Sequence, residues 1–145
     1  MNIREIYNFA KKTLYPINRS LTGKGTKDTL KLIQKYFPDL RIRRFKCNTK
    51  VFDWKIPDEW NVKRAYVMNK SGDKIIDFKN NNLHLVGYSK PINTILNKRE
   101  LLKNLYTIKK IPSAIPYVTS YYKKRWGFCI SYNEKKKIIK HYKNN

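Results

Sequence analysis

The three tryptophans of this 145-residue chain fall in two short aromatic blocks, VFDWKIPDEW (Val51 to Trp60) and TSYYKKRWGFC (Thr119 to Cys129). That arrangement constrains the fold more than any other feature. Large aromatic side chains bury much apolar area, and a buried Tyr or Trp must also find a partner for its O–H or N–H. Each block is interrupted by charge, Gly or Pro. The two are therefore expected to pack around a shaped surface.

The hydrophobic period changes once along the chain. Ile3, Ile6, Tyr7, Ala10 and Leu14 share one helical face, and Pro16 ends that helix by restricting Tyr15. After the loop PINRSLTGKG, Thr26 is the expected N-cap of a second helix running to about Phe37. Leu30, Ile33 and Phe37 would face inward, with Pro38-Asp39 as the stop. From residue 40 the period is two. Leu40 and Ile42 alternate with arginines, and Phe52, Trp54 and Ile56 alternate with Val51, Asp53 and Lys55, as strands do. Ala65 to Met68 and Lys74 to Phe78 flank NKSGDK, a hairpin in which Gly72 takes a positive φ. Leu83 to Ser89, Tyr117 to Tyr122 and Trp126 to Ser131 are further expected strands. Asn97 and Glu100 form a capping box for a short helix carrying Leu101, Leu102 and Leu105, and a basic helix is expected from about Glu134.

The expected fold class is α+β: two N-terminal helices followed by a small β-rich domain with one or two short helices. Residues 1–39 form the helical segment, 40–131 the β-rich domain and 132–145 a basic C-terminal segment. A hydrophobic content of 41% supports a packed core and argues against general disorder. No apolar run approaches the roughly 20 residues of a membrane-spanning helix, so no membrane partner is expected. The start MNIREIYNFAKK is amphipathic and acid-bearing, unlike a secretory signal. The cytoplasm is the expected compartment, and two lone cysteines, Cys47 and Cys129, fit it.

The net charge of +23 raises a polyanionic partner. Its makeup weakens that inference, because 25 of the 33 basic residues are Lys, and Lys, Asn, Ile and Tyr all use A/T-rich codons. The basic residues are also spread evenly, 18 in residues 1–77 and 15 in residues 78–145. A solvated surface is the first reading and weak, non-specific polyanion binding the second.

No complete active site is legible from the residues. GKGT (Gly23 to Thr26) lacks the spacing of a phosphate loop. His84 lies in an apolar stretch and His141 in a lysine-rich tail, without the converging ligands a zinc site needs. Cys129 follows Trp-Gly-Phe and is expected to be a small buried hydrophobe. Asp53, Asp58 and Glu59 are the densest acids; an ion pair at Asp53 and a turn cap at Asp58 are the simpler readings beside general acid–base work.

Four stretches in register carry a resemblance: LYPINRSLTGKGTKDTL, TKVFDWKIPDEWNVKRAYV, DFKNNNLHLVGYSKPI and SAIPYVTSYYKKRWGFCIS. They resemble a bacterial aminopeptidase-like family linked to surface-polysaccharide biosynthesis, whose members are similar to two-zinc aminopeptidases. The resemblance implies a protein about three times this length, with the β-rich domain inserted after the N-terminal helices of an α/β metallopeptidase domain. It places the zinc ligands and the general base after the WGFC-type segment, where this chain has only SYNEKKKIIKHYKNN. The chain is thus expected to be the N-terminal, non-catalytic third of such a protein, with no catalytic residue, no metal ligand and no cofactor of its own. Zinc is expected for the full-length family only.

In the complete protein, Arg19, Ser20 and Thr22 are the candidates for binding a substrate carboxylate, and Tyr121, Tyr122 and Trp126 for a pocket wall. Beside these stand plainer roles, an anchor for the loop and inter-domain packing. Three origins fit such a chain: a split or truncated gene, a frameshifted remnant, or a retained module whose partner is a separately encoded catalytic half. A basic nucleic-acid-binding protein and a stand-alone interaction module are the alternatives.

Overall fold

The computed structural model describes residues 2–142. It is α+β, with four α-helices and three two-stranded sheets of short strands. Contacts divide the chain into two compact units, Met1–Val62 and Lys63–Asn145.

In the first unit, α1 (Ile3–Phe9) starts from a capping box in which Asn2 Oδ1 accepts from the Glu5 N–H and Glu5 Oε2 accepts from the Asn2 N–H. It continues into a π-helical stretch, Ala10–Leu14, closed by Tyr15 N–H donating to the Ala10 carbonyl at 2.8 Å. The expected helix therefore exists, widened by one residue per turn just before Pro16. Its apolar face is open: Ile3 is 86% exposed, and Ile6 and Tyr7 are exposed as well.

Helix α2 (Lys24–Gln34) begins earlier than expected, with Gly23 rather than Thr26 as N-cap. Gly23 takes φ 137°, and Asn61 Oδ1 accepts the Lys24 N–H at 2.7 Å, so the helix can start before Thr26. The Thr26 hydroxyl instead donates to the Ser20 carbonyl. The helix also stops at Gln34, and Phe37, expected inward, is 64% exposed.

Leu40 and Ile42 do not form a strand, because no neighbouring segment pairs with them among the described residues. The expected single strand over Val51 to Ile56 is a hairpin. Strand β1 (Lys50–Val51) pairs antiparallel with β2 (Trp54–Lys55), because the chain reverses at Phe52, which takes φ 52°. Residues 40–62 are tied back to the start of α2 through Asn61 and Trp60, which carries the unit boundary past the change of period at residue 39.

The second unit holds all seven buried hydrophobic side chains found among the described residues. Strands β3 (Tyr66–Met68) and β4 (Lys74–Asp77) form the expected hairpin, with Gly72 at φ 89°. Its turn is braced by the Asn69 Oδ1 acceptor for Asp73 N–H at 2.8 Å. The stretch expected as a strand from Leu83 is a 3-10 turn, Asn82–His84, followed by isolated bridges Leu85–Phe128 and Gly87–Thr119. Asn81 caps that turn, and Tyr88 at φ 61° breaks any longer ladder. For the same reason Tyr117 to Tyr122 contributes a single bridge.

Helix α3 (Lys98–Lys103) carries the expected capping box. Leu105, expected on it, lies instead in β5 (Leu105–Tyr106), which pairs in parallel with β6 (Phe128–Cys129). Helix α4 (Tyr132–His141) starts two residues before the expected Glu134, because Ser131 is the cap and Glu134 its third-position partner. Ile76, Leu105, Phe128, Ile130 and Ile138 form the core, with Leu101, Leu102, Leu85 and Trp126 packed against it. Each fully buried aliphatic or aromatic side chain there stabilises the fold by about 1.5–3 kcal/mol. The first unit has no such cluster; Pro57 is its one buried residue among those described.

Candidate functional site

The RSLTG loop of the first unit is a brace. Thr22 Oγ1 donates to the Asp58 carbonyl at 2.7 Å, and Trp60 N–H donates to the Thr22 carbonyl at 3.3 Å. The Ser20 hydroxyl is shared between the carbonyls of Thr22 and Trp60. Arg19 is exposed and directs one guanidinium nitrogen to the Leu14 carbonyl. The loop thus joins the end of the first helical segment to PDEW, the last part of the first tryptophan block. Gly25 makes the closure possible: a Cβ there would lie 1.9 Å from the Asn18 carbonyl oxygen. Of the three loop candidates, Ser20 and Thr22 point their hydroxyl protons at backbone, and Arg19 keeps guanidinium surface toward solvent.

In the second unit the SYYKKRW segment meets GYS (Gly87 to Ser89). Gly87 N–H donates to Val118 O at 2.8 Å, Ser120 N–H returns to Gly87 O at 3.0 Å, and Lys90 N–H reaches Arg125 O at 2.9 Å. This pairing sets Tyr88 edge-on to Tyr121, ring centroids 5.0 Å apart. Tyr117, itself largely exposed, joins the pair through a hydrogen bond with Tyr121, which with partial desolvation holds the Tyr117 phenol above its ordinary value. Arg125 donates to the Thr119 carbonyl at 2.8 Å and lies over the Tyr106 ring at 5.7 Å. Its Nε and the Thr119 hydroxyl are buried without a protein partner. Tyr122 is exposed, whereas Trp126 packs on the core.

The structure therefore brings Tyr121 together with Tyr88 and Tyr117, which sequence reasoning had passed over. The pairing of residues 87 and 119, distant in sequence, carries that cluster, and no local pattern announces it. A bulky residue at positive φ is rare and costs steric energy, so Tyr88 is a strained position within the cluster.

Several titratable groups elsewhere have structural roles. His84 is buried with Nδ1 2.8 Å from the Cys129 carbonyl, and His141 is exposed on α4. Burial pushes the Cys129 thiol up to about 11, so it is a small hydrophobe at neutral pH. Asp58 accepts from Asn48 Nδ2 at 2.9 Å, as a structural acid does. Asp77 is held below the ordinary carboxylate range by the Lys79 N–H and the Lys74 ammonium. Among the described residues no three His, Cys, Asp or Glu side chains converge as a metal would require. The donor set does not fit zinc. No helix of the described residues is long and apolar enough to cross a membrane.

Comparison with known proteins gives these residues a context. The chain is 49% identical over 130 residues to a Clostridium acetobutylicum protein named for polysaccharide biosynthesis with an aminopeptidase-like domain; the match covers 90% of this chain and 30% of that protein. A crystal structure from Clostridium acetobutylicum, named as a peptidase, superposes with a TM-score of 0.88 at 45% identity, over 98% of this chain and 32% of that one. The chain thus spans about a third of the length of each relative. The resemblance to aminopeptidase-like proteins of polysaccharide biosynthesis, read from four motifs, holds in the first relative's name. Residues 59–143, more than half of the chain, match the model described as Domain of unknown function (DUF2172), and the chain belongs to that family.

Proposed function

We propose that this chain is a non-catalytic portion of an aminopeptidase-like protein, in which hydrolysis of a peptide or amide bond, and the zinc that supports it, belong to the rest of the protein. The observation that carries this reading is the 49% identity to an aminopeptidase-like protein of which the chain spans 30%. The chemistry agrees. Zinc hydrolysis needs a ligand set that lowers the pKa of bound water, whereas Glu5, Glu100 and Glu134 cap helices, Asp73 and Asp77 hold turns and His84 makes a buried hydrogen bond.

Within that reading the tyrosine cluster of Tyr88, Tyr117 and Tyr121, with exposed Tyr122, supplies a wall for a site completed by the catalytic portion. Arg19, in the first unit, is a separate candidate for a substrate carboxylate. The catalytic portion is the partner, and binding of polyanions by the basic surface is weak and falls steeply with salt. Neither relative's name speaks of nucleic acid.

Metal analysis of the purified chain at micromolar zinc, together with an aminoacyl-anilide assay, tests the proposal. No turnover and no stoichiometric zinc are expected. One tightly held zinc per chain, or turnover above background, would overturn it.

A further inference from the structure

We propose that the β1–β2 hairpin is a docking anchor for the aminopeptidase-like portion, with Phe52 entering an apolar socket rimmed by carboxylates. This deepens the reading above and rests on it.

Phe52 combines two unfavourable features. It takes φ 52°, a conformation that a bulky side chain resists, and it is 91% exposed. A hairpin turn suited only to the free chain would carry Asn or Gly at such a position. The turn is nonetheless held firmly. Asn48 N–H donates to Ile56 O at 2.8 Å, Ile56 N–H donates to Thr49 O at 3.0 Å, and the Asn48 side chain is fixed to Asp58 at 2.9 Å. A strained aromatic on a braced scaffold is pre-organised, which lowers the ordering cost of binding.

The surroundings state the chemistry of the occupant. Residues 41–55 carry Arg41, Arg43, Arg44, Lys46, Lys50 and Lys55 against the single acid Asp53, and Phe45 is exposed among them. Aromatic and Arg residues side by side are the composition of interface hot spots, and a basic rim selects a partner surface bearing carboxylates. The occupant follows from the relatives. The same fold, at a TM-score of 0.88, sits in a solved chain of which it is 32%, so about two-thirds more polypeptide accompanies it there. That polypeptide is the aminopeptidase-like portion, and it is the cover that the open apolar side chains of the first unit lack.

The test co-expresses this chain with the part of the Clostridium acetobutylicum relative outside the matched stretch, purified through a tag on the latter. The wild-type chain is expected to co-purify. Phe52→Gly should weaken the complex by about tenfold or more, and Lys46→Glu with Lys50→Glu should weaken it further at low salt. In the free chain, Phe52→Gly should raise the melting temperature and reduce binding of a hydrophobic dye, which excludes simple misfolding. Recovery of wild-type and Phe52→Gly chains with equal affinity overturns the hairpin anchor while leaving the aminopeptidase-like reading intact. Failure of the wild-type chain to co-purify overturns both. Dimerisation of the free chain that Phe52→Gly abolishes would instead assign the hairpin to a second copy of this chain.

Discussion

His84 and Cys129, the two residues most easily mistaken for catalytic groups, are bound to each other through Nδ1 of His84 and the Cys129 carbonyl at 2.8 Å. A carbonyl can only accept, so this contact places a proton on Nδ1. Both residues are buried, and His84 ties the end of the 3-10 turn to β6. His84→Ala leaves that carbonyl without a partner. It should lower stability by about 1–3 kcal/mol, measured by urea unfolding, without changing the secondary structure seen by circular dichroism.

The same burial governs the thiols. With Cys129 pushed up to about 11 and Cys47 only half-buried, the two should separate cleanly in a labelling experiment. At pH 8 an aromatic disulfide reagent should react promptly with one thiol per native chain, and Cys47→Ser should abolish that phase. Cys129 should become reactive only in denaturant. Prompt labelling of Cys129 in the native chain would contradict its complete burial.

Asp77 gives a pH signature. The Lys79 N–H and the Lys74 ammonium, 3.0 Å away, hold its carboxyl below the usual range. A carboxyl depressed in the fold adds stability that is present above its unfolded value and is lost as pH falls through its folded value. Melting temperature should therefore decline as pH drops below about 4. Asp77→Asn should flatten that decline and lower stability at pH 7. Equal pH profiles for the two proteins would remove Asp77 from the account.

What the sequence made legible were the features set by local rules. The Asn97–Glu100 box and Gly72 in its hairpin follow from residues within four positions of one another, and the basic terminal helix was legible although its Ser131 cap was not. What it hid depended on distant pairing or on a backbone that breaks its own propensity. VFDWKI alternates as a strand should, yet Phe52 reverses the chain. Thr26 has the chemistry of a cap, but Gly23 and the remote Asn61 start α2 earlier. The tyrosine cluster needed the meeting of Gly87 with Thr119, separated by 32 positions in the chain.

The last prediction separates a binding role from a bracing role in the RSLTG loop. Thr22 donates its hydroxyl proton to the Asp58 carbonyl at 2.7 Å, joining the loop before α2 to the segment after the β1–β2 hairpin. Thr22→Val keeps the shape and removes the donor, so the Asp58 carbonyl loses a partner. The chain should lose about 1 kcal/mol of stability, and amide exchange should accelerate at Trp60, whose N–H donates to the Thr22 carbonyl. Arg19→Ala, by contrast, removes an exposed side chain that reaches only the Leu14 carbonyl, and should change stability by less than about 0.5 kcal/mol. If the complex with the catalytic portion then lost hydrolytic rate on Arg19→Ala while Thr22→Val lost only stability, Arg19 would be the substrate-facing residue of the loop and Thr22 its brace. The opposite pattern, a rate loss confined to Thr22→Val, would mean that the hydroxyl leaves the Asp58 carbonyl when the two portions meet.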